Sequence, residues 1–153
     1  MALMTRWLDP DEQRTWRAYL TASRVLMDTL DRELQRDAGM PHAYYEILVQ
    51  LSEAPGRQLR MSQLAQAAGS SRSRLSHAVA RLEAAGWVRR EDCPTDRRGQ
   101  IALLTDEGFA TLAAAAPGHV EGVRRHLFDA LSPAQVDQLR RISETLAEHL
   151  TGS

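Results

Sequence analysis

Apolar residues recur at helical spacing along most of this chain, and the breaks in the pattern fall on proline, glycine and serine. Between Ser70 and Gly86, Leu75, Ala78, Val79 and Leu82 stand at i, i+3, i+4 and i+7, a narrow stripe at about 100° per residue that predicts one helix facing a core. Ser70 or Ser71 is placed to cap its first amides, and Gly86 follows its last periodic residue as a left-handed terminator. The outer face centres on Ser73, His77 and Ala80, with Ser70, Arg74 and Arg81 on one flank and Arg72 and Ser76 on the other. Short side chains ringed by arginines suit close approach to a groove, where Ser, His and Arg reach base edges or phosphates. Met61–Ala68, with Leu64, Ala65 and Ala68 apolar, predicts a short helix just upstream, and Gly69 with the serine pair supplies the turn. Two helices joined in this way form a helix-turn-helix.

The pattern changes period after Gly86. Trp87–Glu91 and Gln100–Leu104 predict two short strands around the loop Asp92–Gly99, which carries Pro94, Asp96, Arg97, Arg98 and Gly99, so a basic hairpin wing follows the second helix. Long helices flank this unit. The first runs from Asp9 to about Arg36, with Asp9 as cap, Pro10 at the first position and Trp16, Tyr19, Leu20, Leu26, Met27, Leu30 and Leu34 on its stripe. A second covers His42 to about Ala54. From Thr105 a further helix is expected to kink at Pro117-Gly118 and continue through Val120, Val123, Leu127, Phe128 and Leu131. Ser132-Pro133-Ala134-Gln135 reads as a capping box opening a last helix with Val136, Leu139, Ile142, Leu146 and Leu150.

The fold class expected is therefore mainly α with a small β-hairpin wing, a winged helix-turn-helix with long N- and C-terminal helices. A single domain over residues 1–153 is expected, with the winged lobe at about 42–104 and the long helices at about 10–37 and 105–150.

Charge sharpens the picture where the total obscures it. The net charge of −1 argues against a nucleic-acid partner, yet Gly56–Gln100 holds nine arginines and four acids (Glu83, Glu91, Asp92 and Asp96), a local +5 against −6 in the rest of the chain. All 19 basic residues are arginine, the better reader of phosphate and guanine because its fork is planar and bidentate. No apolar run approaches the length of a membrane span, Met1–Arg6 is too short for a secretory signal, and the single cysteine agrees with a reducing compartment, so a cytoplasmic protein without membrane contact is expected.

The run Leu59–Gly108 contains Leu64-Ala65, Ser71-Arg72-Ser73, Leu82-Glu83-Ala84-Ala85-Gly86, Asp96-Arg97-Arg98 and Leu104-Thr105-Asp106-Glu107-Gly108, and in these motifs it resembles the MarR family of bacterial transcription regulators. From about Pro10 to Leu150 the helix pattern fits that family as well. The resemblance implies a homodimer binding double-stranded DNA at a palindromic operator, in most cases as a repressor with a small ligand that changes its affinity. Ser70, Arg72, Ser73, Arg74 and His77 are the DNA contacts expected from the second helix and its turn, with Ser73, Arg74 and His77 in the major groove; the family pattern places Arg98 of the wing in the minor groove, and Arg97 would then face a phosphate. Asp96, two residues from Arg98, is expected to hold that guanidinium by a charge-assisted hydrogen bond. The resemblance assigns Leu127, Phe128, Leu131, Leu139, Ile142, Leu146 and Leu150 to a dimer interface. Trp16, Arg17, His42, Tyr44 and Tyr45 are the positions implied for a pocket, whose aromatic and cationic character suits an aromatic or phenolic ligand.

Other functions find less in the residues. Cys93 has no His at helical or hairpin spacing to activate it, and no phosphate-binding glycine loop or metalloprotease motif is present, so no enzyme, no cofactor and no metal site is expected. His119 and His126 are seven apart and read as solvated. Two alternatives stay open: a winged-helix module that docks an acidic protein partner, and a redox-responsive regulator using the wing cysteine.

Overall fold

The computed structural model of the chain describes residues 4–152, with the side chain of Arg97 outside the description. The elements run α1 (Pro10–Ala38), α2 (His42–Glu53), β1 (Gln58–Arg60), α3 (Met61–Ala67), α4 (Arg72–Ala84), β2 (Val88–Cys93), β3 (Asp96–Leu104), α5 (Asp106–Val123) and α6 (Pro133–Thr151). Two compact units emerge, one of residues 31–122 and one drawn from the residues before and after it, so α1 contributes to both.

The unit 31–122 holds a core of leucines. Leu48 and Leu51 of α2, Leu64 of α3, and Leu75, Val79 and Leu82 of α4 are essentially inaccessible, and Leu34, Met40, Val88, Ala102, Leu104 and Leu112 join the same cluster. The stripe predicted on α4 is thus the buried one, with Ala78 packed at its margin. Burying each such leucine contributes about 1.5–3 kcal/mol, which is enough to fix the helix's rotation and turn its opposite face outward.

Both signals read at the ends of α4 operate. Of the two serines, Ser71 is the cap: its hydroxyl accepts from the Arg74 amide at 3.2 Å. At the other end Gly86 takes φ +82°, its amide bonds the Glu83 carbonyl at 3.0 Å, and Trp87 bonds the Leu82 carbonyl at 3.0 Å. This double closure of the last carbonyls requires a left-handed residue, hence the glycine.

Two features of the sheet differ from expectation. The hairpin is longer and tighter, since Cys93 pairs with Asp96 across Pro94 and Thr95; Arg97, Arg98 and Gly99 bulge between that pair and Asp92–Gln100. A third strand, β1, pairs antiparallel with β3 (Gln58 to Leu103, Arg60 to Ile101), giving the order β1-β3-β2. Behind the sheet, Gly108 lies so close to Trp87 that a Cβ there would stand 2.1 Å from its carbonyl oxygen.

The second unit is helical. Asp9 caps α1 reciprocally with Glu12: Glu12 N–H donates to Asp9 at 2.8 Å, and Asp9 N–H to Glu12 at 3.0 Å. Ser132 and Gln135 close the capping box read at the start of α6, at 3.2 and 2.9 Å. As expected of one continuous helix, α5 runs through Pro117-Gly118, and both residues lie on its exposed side, where a carbonyl left unbonded by proline can face solvent. The departure from α geometry comes later, as a π-helical turn over Arg124–Phe128 that bonds the Asp129 amide to the Arg124 carbonyl at 2.8 Å.

Candidate nucleic-acid interface

With its apolar stripe buried, α4 presents Arg72, Ser73, Arg74, Ser76, His77, Ala80 and Arg81 to solvent. Ser70 sits in the preceding turn, half-buried, with its hydroxyl donating to the Ser71 carbonyl at 3.2 Å. The first turn of α4 has its free amides and positive dipole end beside Arg72 and Arg74, a favourable surrounding for a phosphate.

The wing comes to the same side of the unit. A cleft of about 370 Å³ is lined by Arg60, Met61 and Ser62 at the start of α3, Arg72, Leu75 and Ser76 on α4, and Asp96, Arg98, Gly99 and Gln100 of the wing. Three arginines from three elements thus share one cleft. Among the described residues no carboxylate pairs with the guanidinium of Arg72, Arg74 or Arg98. Arginines of β2 are used differently: Arg89 pairs with Glu91 at 3.0 Å, and Arg90 with Glu83 at 3.0 Å.

The Asp96–Arg98 relationship is real but differs in kind. Asp96 Oδ1 accepts the backbone N–H of Arg98 at 3.0 Å, not its guanidinium. A short carboxylate reaches an amide two residues on within its own turn more readily than the end of a long side chain, so Asp96 shapes the loop and leaves the Arg98 guanidinium exposed. The Arg97 side chain, expected against a phosphate, lies outside the described residues.

Arg60 is a cleft residue that sequence reasoning missed. Its guanidinium donates to the Thr95 hydroxyl at 2.9 Å, tying the start of α3 to the turn of the wing. Only the pairing of β1 with β3, invisible in local periodicity, brings these residues together. Cys93 beside them is buried, 7% exposed, and the Thr95 hydroxyl at 3.4 Å holds its thiol pKa below the ordinary value.

The positions implied for a ligand pocket divide between the units. Trp16 and Arg17 are exposed on α1, where the Trp16 ring stands 6.3 Å from that of Tyr19. His42, Tyr44 and Tyr45 open α2, and Tyr45 is a core residue, 5% exposed, whose burial raises its hydroxyl pKa. His119, read as solvated, is half-buried with its ring 4.4 Å from Tyr45 and 5.4 Å from His42. Burial and the neighbouring His42 both lower its pKa. The positions expected at a dimer interface fall in the helical unit: Phe128, Leu139, Ile142, Leu146 and Leu150 are 37–73% exposed, and Leu127 and Leu131 are half-buried.

A helix-turn-helix whose second helix turns an arginine-rich face to solvent, followed by a hairpin that brings further arginine to it, defines a winged helix-turn-helix protein. The comparisons with known proteins are specific. A family model described as "MarR family" matches residues 38–99. Sco3205 from Streptomyces coelicolor, a MarR family transcriptional regulator solved in complex with DNA, is 58% identical, with a TM-score of 0.93 over 96% of this chain and 92% of that one. AbsC, a MarR family transcriptional regulator from the same organism, is 47% identical, with a TM-score of 0.91 over 97% and 100%. The chain belongs to the MarR family. The transcriptional repressor MprA of Escherichia coli is 30% identical over 112 residues, 73% of this chain, and the match spans 63% of MprA's own length.

Proposed function

We propose that the protein is a sequence-specific transcription regulator, a repressor that binds a palindromic site on double-stranded DNA as a homodimer. The observation that carries this reading is the convergence of Arg60, Arg72 and Arg98 on one cleft beside the exposed outer face of α4. In a major groove, Ser73, Arg74 and His77 face base edges, Arg72 and the amides of the first turn meet a phosphate, and the bulged wing carries Arg98 to the adjacent minor groove. Sco3205, at 58% identity, was solved in complex with DNA, which supports a DNA-binding reading of this chain.

Dimerisation is supported by the apolar residues that the helical unit leaves exposed, from Trp16, Leu20 and Met27 on α1 to Ile142, Leu146 and Leu150 on α6. A twofold pair of recognition helices about one helical turn apart, ~34–36 Å, reads two half-sites. An aromatic or phenolic ligand that changes DNA affinity remains part of the proposal; Tyr45 belongs to the core. Burial of Cys93 favours ligand control over control by oxidation. Among the described residues no helix is long and apolar enough to cross a membrane, and a cytoplasmic location is proposed with the rest.

The test is selection of bound duplexes from a random pool. A recovered inverted repeat supports the reading; a pool that stays random after repeated selection overturns it.

A further inference from the structure

The start of α2 and the middle of α5 bring together three side chains that the DNA-facing surface does not use. His42 and Glu46 stand one turn apart on α2, with Nε2 and Oε1 at 3.6 Å. His119 comes to them from α5, its ring 5.4 Å from that of His42. One donor atom from each of the three lies within 4.8 Å of the other two, and all three residues are half-buried. The Nδ1 atom of His119 is buried without a hydrogen-bond partner among the described residues. A buried ring nitrogen left unbonded costs about 1–3 kcal/mol, so the arrangement calls for something more in the site. The backbone at the cluster is fixed, because the His42 amide donates to Asp31 at 2.8 Å and the Tyr45 ring packs against His119 at 4.4 Å.

We propose that His42, Glu46 and His119 bind a divalent transition-metal ion of the zinc class, with a fourth position open to water or an added ligand. Two imidazoles and one carboxylate are the donor set that suits such an ion, whereas calcium and magnesium take six or more oxygens. Two ligands on a tetrahedral ion with bonds of ~2.1 Å stand about 3.4 Å apart. His42 and Glu46 already have nearly that spacing, and His119 reaches it by a side-chain movement of about an ångström. Residues on the far side of α2, Leu48 and Leu51, pack in the core with Leu64 and Leu75, so an ion held here braces α2 against α5. The proposal stands independently of the DNA-binding reading.

The experiment titrates the full-length, chelator-treated chain with Zn²⁺ by calorimetry and with Co²⁺ by visible absorption, in the parent and in Glu46→Gln, His119→Gln and His149→Ala. The expected result is one ion per chain, a low-coordinate Co²⁺ spectrum, and affinity lowered by about tenfold or more in Glu46→Gln and His119→Gln. His149→Ala, on the exposed face of α6, binds as the parent does. Circular dichroism without metal confirms that the variants fold; Glu46, with its side chain 41% exposed, keeps the test decisive if His119→Gln does not. A parent that binds neither ion at micromolar concentration, so that a water alone satisfies His119, overturns the proposal. So does a folded Glu46→Gln with unchanged affinity, or an effect of His149→Ala equal to that of Glu46→Gln.

Discussion

The carboxylate of Glu83, near the end of α4, receives three hydrogen bonds from Arg90 of β2: from its amide at 3.3 Å, from Nε at 3.3 Å and from Nη2 at 3.0 Å. This fastens the C-terminal end of α4 to the strand that leads into the wing. The Arg90 guanidinium holds the Glu83 carboxyl below the usual carboxylate range. The pair is partly exposed, and solvent screening keeps its worth to about 1 kcal/mol or less. Because the folded-state pKa is depressed, that stability is present above the unfolded pKa and is lost as pH falls through the folded one. Glu83→Gln is therefore expected to be slightly less stable than the parent to urea at neutral pH and to converge with it in acid. A gap that widens toward acid contradicts this assignment.

Asp96 supplies a sharper test, because it acts on backbone. Asparagine keeps an oxygen that can accept the Arg98 amide, whereas alanine removes it. Asp96→Asn is expected to bind DNA nearly as the parent does. Asp96→Ala should bind more weakly, although it deletes a negative charge beside the cleft. Tighter binding by Asp96→Ala at every salt concentration would show that the wing acts only as diffuse positive charge.

Gly108 tests the support behind the sheet. A methyl group there meets the Trp87 carbonyl oxygen at 2.1 Å and the Leu104 side chain at 2.8 Å. The first neighbour is backbone and cannot rotate away. Gly108→Ala is expected to cost about 3 kcal/mol or more, read as a lowered thermal midpoint or loss of soluble protein. Gly118→Ala, where a Cβ meets nothing within 4 Å, is the matched control and should be neutral or slightly stabilising.

The exposed apolar residues of the helical unit lead to a statement about mass. Sedimentation is expected to show a species of twice 17.1 kDa at all practical concentrations. Charged replacements at Leu139 or Leu146 should unfold the chain rather than release monomers, because an obligate dimer has no stable folded monomer to release. A compact, folded 17.1 kDa species excludes the dimer.

Legibility followed the range of the interactions. α4 could be read closely, since its cap, stripe and terminator lie within its own residues, and the Asp9 and Ser132 caps were legible for the same reason. Strand β1 was not: Gln58-Leu59-Arg60 is too short to show a period, and only β3, some forty residues on, makes it a strand. The pairing of Asp96 with Arg98 was visible, but sequence names residues, not atoms, and the bond goes to the amide. The helix could be read through Pro117 because its apolar pattern resumes at Val120, while the π turn at Arg124–Phe128 sits in a pattern that fits an ordinary helix equally well. His42 and Glu46 share a helix face, yet without the fold nothing ties them to His119.

The measurement that bears most directly on the central claim is duplex-DNA affinity as a function of salt. It is made with the parent, Arg74→Ala and His77→Ala, on the selected palindrome and on random duplex. The account predicts a steep fall of parent affinity with salt, with a log–log slope of about 0.9 per phosphate contact. It also predicts that at least one of the two substitutions costs ~1–3 kcal/mol on the palindrome and clearly less on random DNA. A parent that binds no duplex DNA, or equal losses on both DNAs for both variants, would contradict the assignment of the outer face of α4 to sequence reading.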